Sequence, residues 1–324
     1  MNTSTIMNGA PAVSPKPTSR MSLANTRDGI LDSPMRILIY GGEKIGKSTF
    51  AAGAPAPVWL GADAGTDHLS IRRLPQPETF KEVLEGIHEV ATNGKAAGIK
   101  TLVLDPLNWF EALVVADVVG DSGKTLAEWG PYGKGTQAAM DRWRQLKNAL
   151  EQAWVAGLNV ILCAHSHVKK FEDPEGPGYE RYELAMNKDA AGMFKQWVDA
   201  ILIARPDSFG KIDPTTKKAK AYGSSARMLY TELNPAYDAG NRWRLPSEMP
   251  LSWAAFIEAK TEGQKQLGVL RKQIEDGLRE LNDPEVEKKV RLYLADPKND
   301  VAEIANAVAA KVAERREQSV GKEG

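Results

Sequence analysis

The sequence predicts an α/β fold: a mostly parallel sheet with helices on both faces, an antiparallel hairpin late in the chain, and a small helical appendage at its end. Two observations carry this. First, the apolar runs "RILIY" (36–40), "VWLGA" (58–62), "TLVLD" (101–105), "NVILCA" (159–164) and "AILIA" (200–204) alternate with helical stretches at 47–53, 77–92, 107–119, 136–156 and 189–198. Runs that are apolar at nearly every position belong to strands buried on both sides, and strands separated by helices build parallel sheets. Second, the turn between the first run and the first helix reads Gly41-Gly42-Glu43-Lys44-Ile45-Gly46-Lys47-Ser48. That is G-x-x-x-x-G-K-[ST], a strand-to-helix turn whose glycines let backbone N–H groups curl around phosphates.

Along the chain the elements follow in order. Residues 1–33 are rich in Ser, Thr, Asn and Pro without sustained periodicity, so they are expected to form a disordered tail that buries too little apolar surface to offset its ordering entropy. Residues 34–260 carry the strand–helix alternation and form the core domain. Within them, "KAKAYGSSARMLYTEL" (218–233) reads as a hairpin around Gly223–Ser225 that extends the sheet with antiparallel strands. Residues 261–324 form a helical extension. Leu267, Leu270, Ile274, Leu278 and Leu281 share one helical face, Asp283-Pro284 reads as an N-cap followed by proline at the first helical position, and Val301, Ile304, Val308 and Val312 mark a last helix at 300–316.

Composition excludes several function classes. Lys+Arg and Asp+Glu balance at 42 each, so the molecule as a whole carries no basic field, and any nucleic-acid contact must come from a local patch. The single cysteine, Cys163, lies inside an apolar run as a small core residue. No intrachain disulfide or cysteine-built metal site is then possible, which fits a reducing cytoplasm. No apolar run approaches the roughly 20 residues of a membrane span, so no membrane partner is expected.

In the phosphate turn, Gly41 to Thr49 form the cradle, Lys47 reaches the β- and γ-phosphates, and the Ser48 hydroxyl ligates Mg²⁺. A second run ending in Gly-Lys-Thr, "GDSGKT" (120–125), lacks the first glycine and a leading strand, so it reads as a surface loop. Asp105 closes an apolar strand and is the natural second Mg²⁺ partner. Pro106 follows it, where many P-loop motors carry a catalytic Glu, so the acid that orients water must lie elsewhere. Asp63, at the end of the second strand, is the candidate, with Asp67 a substitute. His165 and His167 share a strand face, but no third zinc ligand is evident among nearby residues.

The order of landmarks, "GGEKIGKST", the acid in "ADAG", "LVLDPLN", "YGKGTQAAMDRWRQLKNAL…AGLNVILCAH" and "DAILIAR" followed by a hairpin, resembles a phage family of RecA-like ATP-binding proteins over roughly residues 34–257. Members include single-strand DNA annealing and recombination ATPases. The resemblance implies a RecA-like P-loop NTPase core that binds and hydrolyses ATP with Mg²⁺, and a location in the host cytoplasm. It also implies binding to single-stranded DNA and a homo-oligomer with ATP near subunit interfaces. By the same resemblance, Asp63 takes the place of a usual Glu that positions water, and His165 faces the γ-phosphate and senses it. Two departures stand out: Asp63 is one methylene short, and Pro106 occupies a position where many relatives have Ser.

DNA or in-trans contacts are expected from two regions. "SHVKKFEDPEGPGYERYELAMNK" (166–188) reads as a long Gly/Pro-rich loop with Lys169, Lys170 and Phe171, although its acids outnumber its bases and a solvated loop is the alternative. Region 205–227 offers Arg205, Lys211, Lys217, Lys218, Lys220 and Arg227 against Asp207 and Asp213; a charged hairpin edge that resists aggregation is the alternative there. Arg242 and Arg244 are further in-trans candidates. A different class of function also fits: a nucleotide-dependent assembly or loader protein with little or no turnover. A small-molecule kinase fits less well, because no Arg-rich lid is evident.

Overall fold

The computed structural model describes residues 21, 22, 25, 26, 33–62, 66–172, 176–212, 219–296 and 299–320, with backbone alone for 208–212, 219–223 and 319–320. By internal contacts the chain divides into Met1–Ser33 and Pro34–Gly324. Nearly all of the expected disordered tail lies outside the described residues, and every strand and α-helix among those described belongs to the second unit.

A single sheet organises this unit. Its strands are β1 (Arg36–Gly41), β2 (Pro57–Gly61), β3 (Arg72–Arg73), β4 (Thr101–Asp105), β5 (Asn159–Phe171), β6 (Tyr179–Leu184), β7 (Ala200–Ile212), β8 (Ala219–Tyr230), β9 (Gly240–Asn241) and β10 (Glu248–Pro250). They run in the order β10-β8-β7-β1-β5-β4-β2-β3, with β6 beside β5 and β9 beside β7. From β7 to β3 the neighbours are parallel, while β6, β8, β9 and β10 join antiparallel.

Alternate side chains of each strand leave on opposite faces. On one face Leu38, Tyr40, Leu60, Leu102, Leu104 and Leu162 pack under α2 (Phe80–Asn93), α3 (Phe110–Val119), α4 (Lys134–Val155) and α5 (Lys188–Trp197). On the other, Ile37, Ile39, Trp59, Val103, Ile161 and Leu202 meet α1 (Lys47–Ala52) and the start of α6 (Trp253–Leu281). The expected two-sided α/β fold with a mostly parallel sheet is what the chain adopts. Gly120 to Thr125 form an exposed loop.

Two segments differ from expectation. The stretch read as a loop at 166–188 is largely strand: β5 runs on to Phe171 and pairs with β6 from Ser166↔Leu184 to Phe171↔Tyr179. The charges that made it look solvated pair with one another, Lys169 with Glu183 and Lys170 with Glu172, and Phe171 packs on Tyr179. Lys169–Glu183 and Phe171–Tyr179 are cross-strand pairs, which stabilise a ladder, while Lys170 and Glu172 lie on the same chain segment. Likewise, residues 219–230 are one strand and not a hairpin in themselves. Their partner is the continuation of β7, with Gly223 opposite Ser208 and the register shifting between Pro206 and Ser208, where proline has no N–H to give the ladder.

α6 runs unbroken from residue 253 to 281, through the expected boundary at 260. Its distal half packs Ile274, Leu278 and Leu281 against Ala305, Val308 and Val312 of α8 (Val301–Val320), with α7 (Pro284–Ala295) alongside. Asp283 Oδ1 accepts from the Glu285 and Val286 amides at 3.0 and 3.2 Å, and Pro284 opens α7. No helix of the described residues is long and apolar enough to cross a membrane.

Candidate nucleotide-binding site

The site forms at the end of β1, between β5 and β7. Gly41 stands in register with His165 on one side and Ala204 on the other. A Cβ at Gly41 would lie 2.3 Å from the Ala204 carbonyl oxygen, so only glycine lets the chain turn there. Gly46 has φ +113 and leads into α1, which no side chain caps. First-turn amides are thereby left for a ligand. Glu43, Lys44 and Thr49 are exposed, and Ile45 packs on the core beneath.

Lys47 is 4% exposed. Its ammonium donates to the carbonyls of Gly41 at 3.1 Å and Gly42 at 2.7 Å, and lies 3.4 Å from His165 Nδ1. Burial lowers its pKa, opposed by Cys163, Asp105 and Glu43. The His165 imidazole is also lowered, by burial first and then by the neighbouring ammonium. A neutral ring whose Nδ1 faces an ammonium accepts there and carries its proton on Nε2. That nitrogen is then a donor suited to a phosphate oxygen.

Ser48 Oγ donates to Asp105 Oδ2 at 2.5 Å. α1 brings the hydroxyl and β4 the carboxylate, although β5 lies between β4 and β1 in the sheet. Two hard oxygen donors side by side next to a phosphate cradle suit Mg²⁺, which keeps several waters and takes further oxygens from phosphates. Among the described residues no group of three or more His, Cys, Asp and Glu is gathered for a metal. Residues and ligand class therefore fit: Lys47 and the glycine turn for phosphates, Ser48 and Asp105 for the divalent ion.

Sequence reasoning missed Asn108. Its Oδ1 accepts the His165 backbone N–H at 3.0 Å, tying the turn after β4 to the middle of β5, level with Gly41. Nothing local in "DPLN" signals a contact 57 positions away. Cys163, expected as core, is fully buried, and burial pushes its thiol pKa up, with Asp105 adding to the rise.

Other expected site residues are scattered. Asp63 lies outside the described residues, as do Lys217 and Lys218, and of Lys220 only the backbone pairing with Lys211 is described. The last described residues before Asp63 are Gly61, in register with Asp105, and Ala62. Lys169 and Lys170 stand exposed on the β5–β6 arm. Arg205 is held over the rings of Tyr182, Tyr230 and Tyr237, at 4.7, 5.7 and 5.4 Å from their centroids. Arg242 pairs with Asp199 at 3.1 Å and Arg244 with Asp300 at 3.3 Å, so both in-trans candidates have acids within their own chain. Arg227 sits beside Gly46 of its own phosphate turn.

The arm is anchored to the site strand. The Tyr40 hydroxyl, one residue before the glycine turn, donates to the Asp238 carbonyl at 2.6 Å. Asp238 in turn receives Arg181 of β6 and Lys195 of α5. Burial alone would raise the Asp238 pKa, but the hydrogen bond and charge of Lys195, with Arg181, hold it below the ordinary range.

No curated protein matches the chain. A family model described as an AAA domain matches residues 33–243, from the approach to β1 through the strand β9 that flanks β7. With its glycine turn, buried Lys47 and Ser48–Asp105 pair inside that span, the chain belongs to the AAA domain family, a family of P-loop ATPases.

Proposed function

We propose that this protein is a RecA-like phage ATPase that binds ATP with Mg²⁺ and acts on single-stranded DNA in annealing or recombination. One observation carries the reading furthest: β5 is a single strand that both presents His165 to Lys47 and continues outward as the arm bearing Lys169, Lys170 and Phe171. Bases and rings on one arm suit a single strand, with cations along the backbone and rings against bases. A change at the γ-phosphate end and a change on the arm would then be felt along the same ladder. Lys47 neutralises the phosphates, Ser48 and Asp105 hold the divalent ion, and Asp63 accepts a hydrogen bond from the attacking water. Assembly into a homo-oligomer would bring further cations to each site.

The test is ATP turnover by the purified protein with and without single-stranded DNA, beside Lys47→Ala. Stimulated turnover is expected, with at least a loss of about a hundredfold in the variant, a typical scale for removing a group that stabilises transition-state charge. Absence of DNA binding at low salt, with and without ATP, would sink the DNA reading. Asp63→Asn with unchanged turnover would remove Asp63 from its role.

A second reading, a nucleotide-dependent assembly or loader protein with little turnover, is favoured by the pairing of Lys169 and Lys170 with acids and by the exposed Leu292 and Tyr293 on α7. Nucleotide binding without turnover or DNA affinity would select it.

A further inference from the structure

We infer that Arg227 is a nucleotide-binding residue that acts in cis, contacting the polyphosphate of a nucleoside di- or triphosphate held by the glycine turn of its own chain. The inference rests on the nucleotide-binding reading of that turn and assigns Arg227 a place within it.

Position argues first. Leu229, two residues on, is buried in the core on the face covered by α1, and alternation along β8 puts Arg227 on that same face. β8 runs antiparallel to β7, so Arg227 lies beyond Leu229 toward the end of the sheet where β1 delivers its turn. A Cβ on Gly46 would meet Arg227 Nη1 at 3.2 Å and Leu251 Cδ2 at 3.2 Å. The guanidinium therefore reaches the wall of the cradle in this chain, with no neighbouring subunit needed.

Chemistry argues next. Arg227 is exposed, and among the described residues no acid pairs with it. In the same region the other arginines are engaged: Arg205 lies over three tyrosine rings, and Arg242 and Arg244 hold acids. A planar guanidinium with all its donors available, beside a turn built for phosphates, matches the geometry of a polyphosphate oxygen pair. The main chain holds the residue in place: its carbonyl accepts the Leu251 amide at 2.8 Å, and Leu251 itself flanks Gly46.

The experiment titrates full-length wild type, Arg227→Ala, Arg227→Lys and Lys47→Ala with N-methylanthraniloyl-ATP and -ADP in Mg²⁺. About a tenfold weakening is expected for Arg227→Ala with both nucleotides, the scale of one charge-assisted hydrogen bond. Arg227→Lys should recover part of it, which a purely structural role would not do. Adding excess Lys47→Ala, which supplies intact Arg227 in trans, should leave the affinity of Arg227→Ala unchanged. Wild-type affinity in Arg227→Ala overturns the inference alone, as does its rescue by Lys47→Ala. If wild type binds neither nucleotide, the nucleotide reading of the turn falls and this inference with it.

Discussion

His165 illustrates what a single residue owes to its surroundings. Its imidazole is pressed toward the neutral form by burial and by the Lys47 ammonium, while Glu43 and Asp105 pull the other way. Because the folded pKa lies below the ordinary 6.5, both states are neutral above that pH. Below it the unfolded chain takes up the proton first, so stability falls as pH drops through 6.5 toward the folded pKa. Denaturant midpoints between about pH 7.5 and 5 should thus decline more steeply for the nucleotide-free wild type than for His165→Gln. Equal slopes would show that the ring is not held neutral. Lys47, Ser48 and Asp105 were all legible as a motif because each chemistry demands one residue type at one spacing. Asn108 was not legible as a neighbour of the site, and Arg227 was legible only as a DNA or in-trans cation and not as a neighbour of its own Gly46, since a side chain that reaches from another strand or turn leaves no local pattern.

At the scale of elements, α1 is too short to be stable alone, and its place is set by tertiary packing. Phe50 meets the rings of Trp253 and Phe256, at centroid separations of 5.3 and 5.7 Å, so the first turns of α6 clamp the helix that carries Lys47 and Ser48. Phe256 is fully buried. Phe256→Ala should cost about 3–5 kcal/mol in denaturant unfolding, and nucleotide affinity should drop with it as α1 loosens. A loss under about 1 kcal/mol would mean that the clamp repacks easily. Strands buried on both faces announced themselves by unbroken apolar runs; β1, β2 and β4 keep close to those runs, while β5 and β7 extend well past theirs into polar sequence. The β5–β6 arm was misread because its charges look solvated, while the contacts that make it a ladder, Lys169 with Glu183 and Phe171 with Tyr179, are invisible until the strands are aligned.

For the whole molecule, two apolar clusters line the two faces of the sheet, and a third lies within α6, α7 and α8. The bundle continues from the core through α6, and the Arg244–Asp300 contact that also joins them is a half-exposed ion pair of the kind that contributes little, about 0–1 kcal/mol. Ending the chain after Gln266 keeps Phe256 and the packing of Gly263 against the Trp243 carbonyl. That truncated protein should fold cooperatively and bind nucleotide within about twofold of full length, a change of under half a kcal/mol. A tenfold loss would make the bundle part of the nucleotide site.

By itself the sequence determined the layered α/β architecture and marked the glycine turn, with Ser48 and Asp105 as residues that the structure brings together, because hydrophobic period and residue chemistry are local properties. It also marked the α6–α8 faces, where apolar residues recur at helical spacing. Only the tertiary structure decided that β5 threads between β1 and β4, that Asn108 holds His165 in line, and that Arg242 and Arg244 are occupied within their own chain. It alone brought Arg227 to Gly46. These depend on strand order and register, which bring together residues far apart in the chain, and register is set by packing of the whole sheet and not by any one segment.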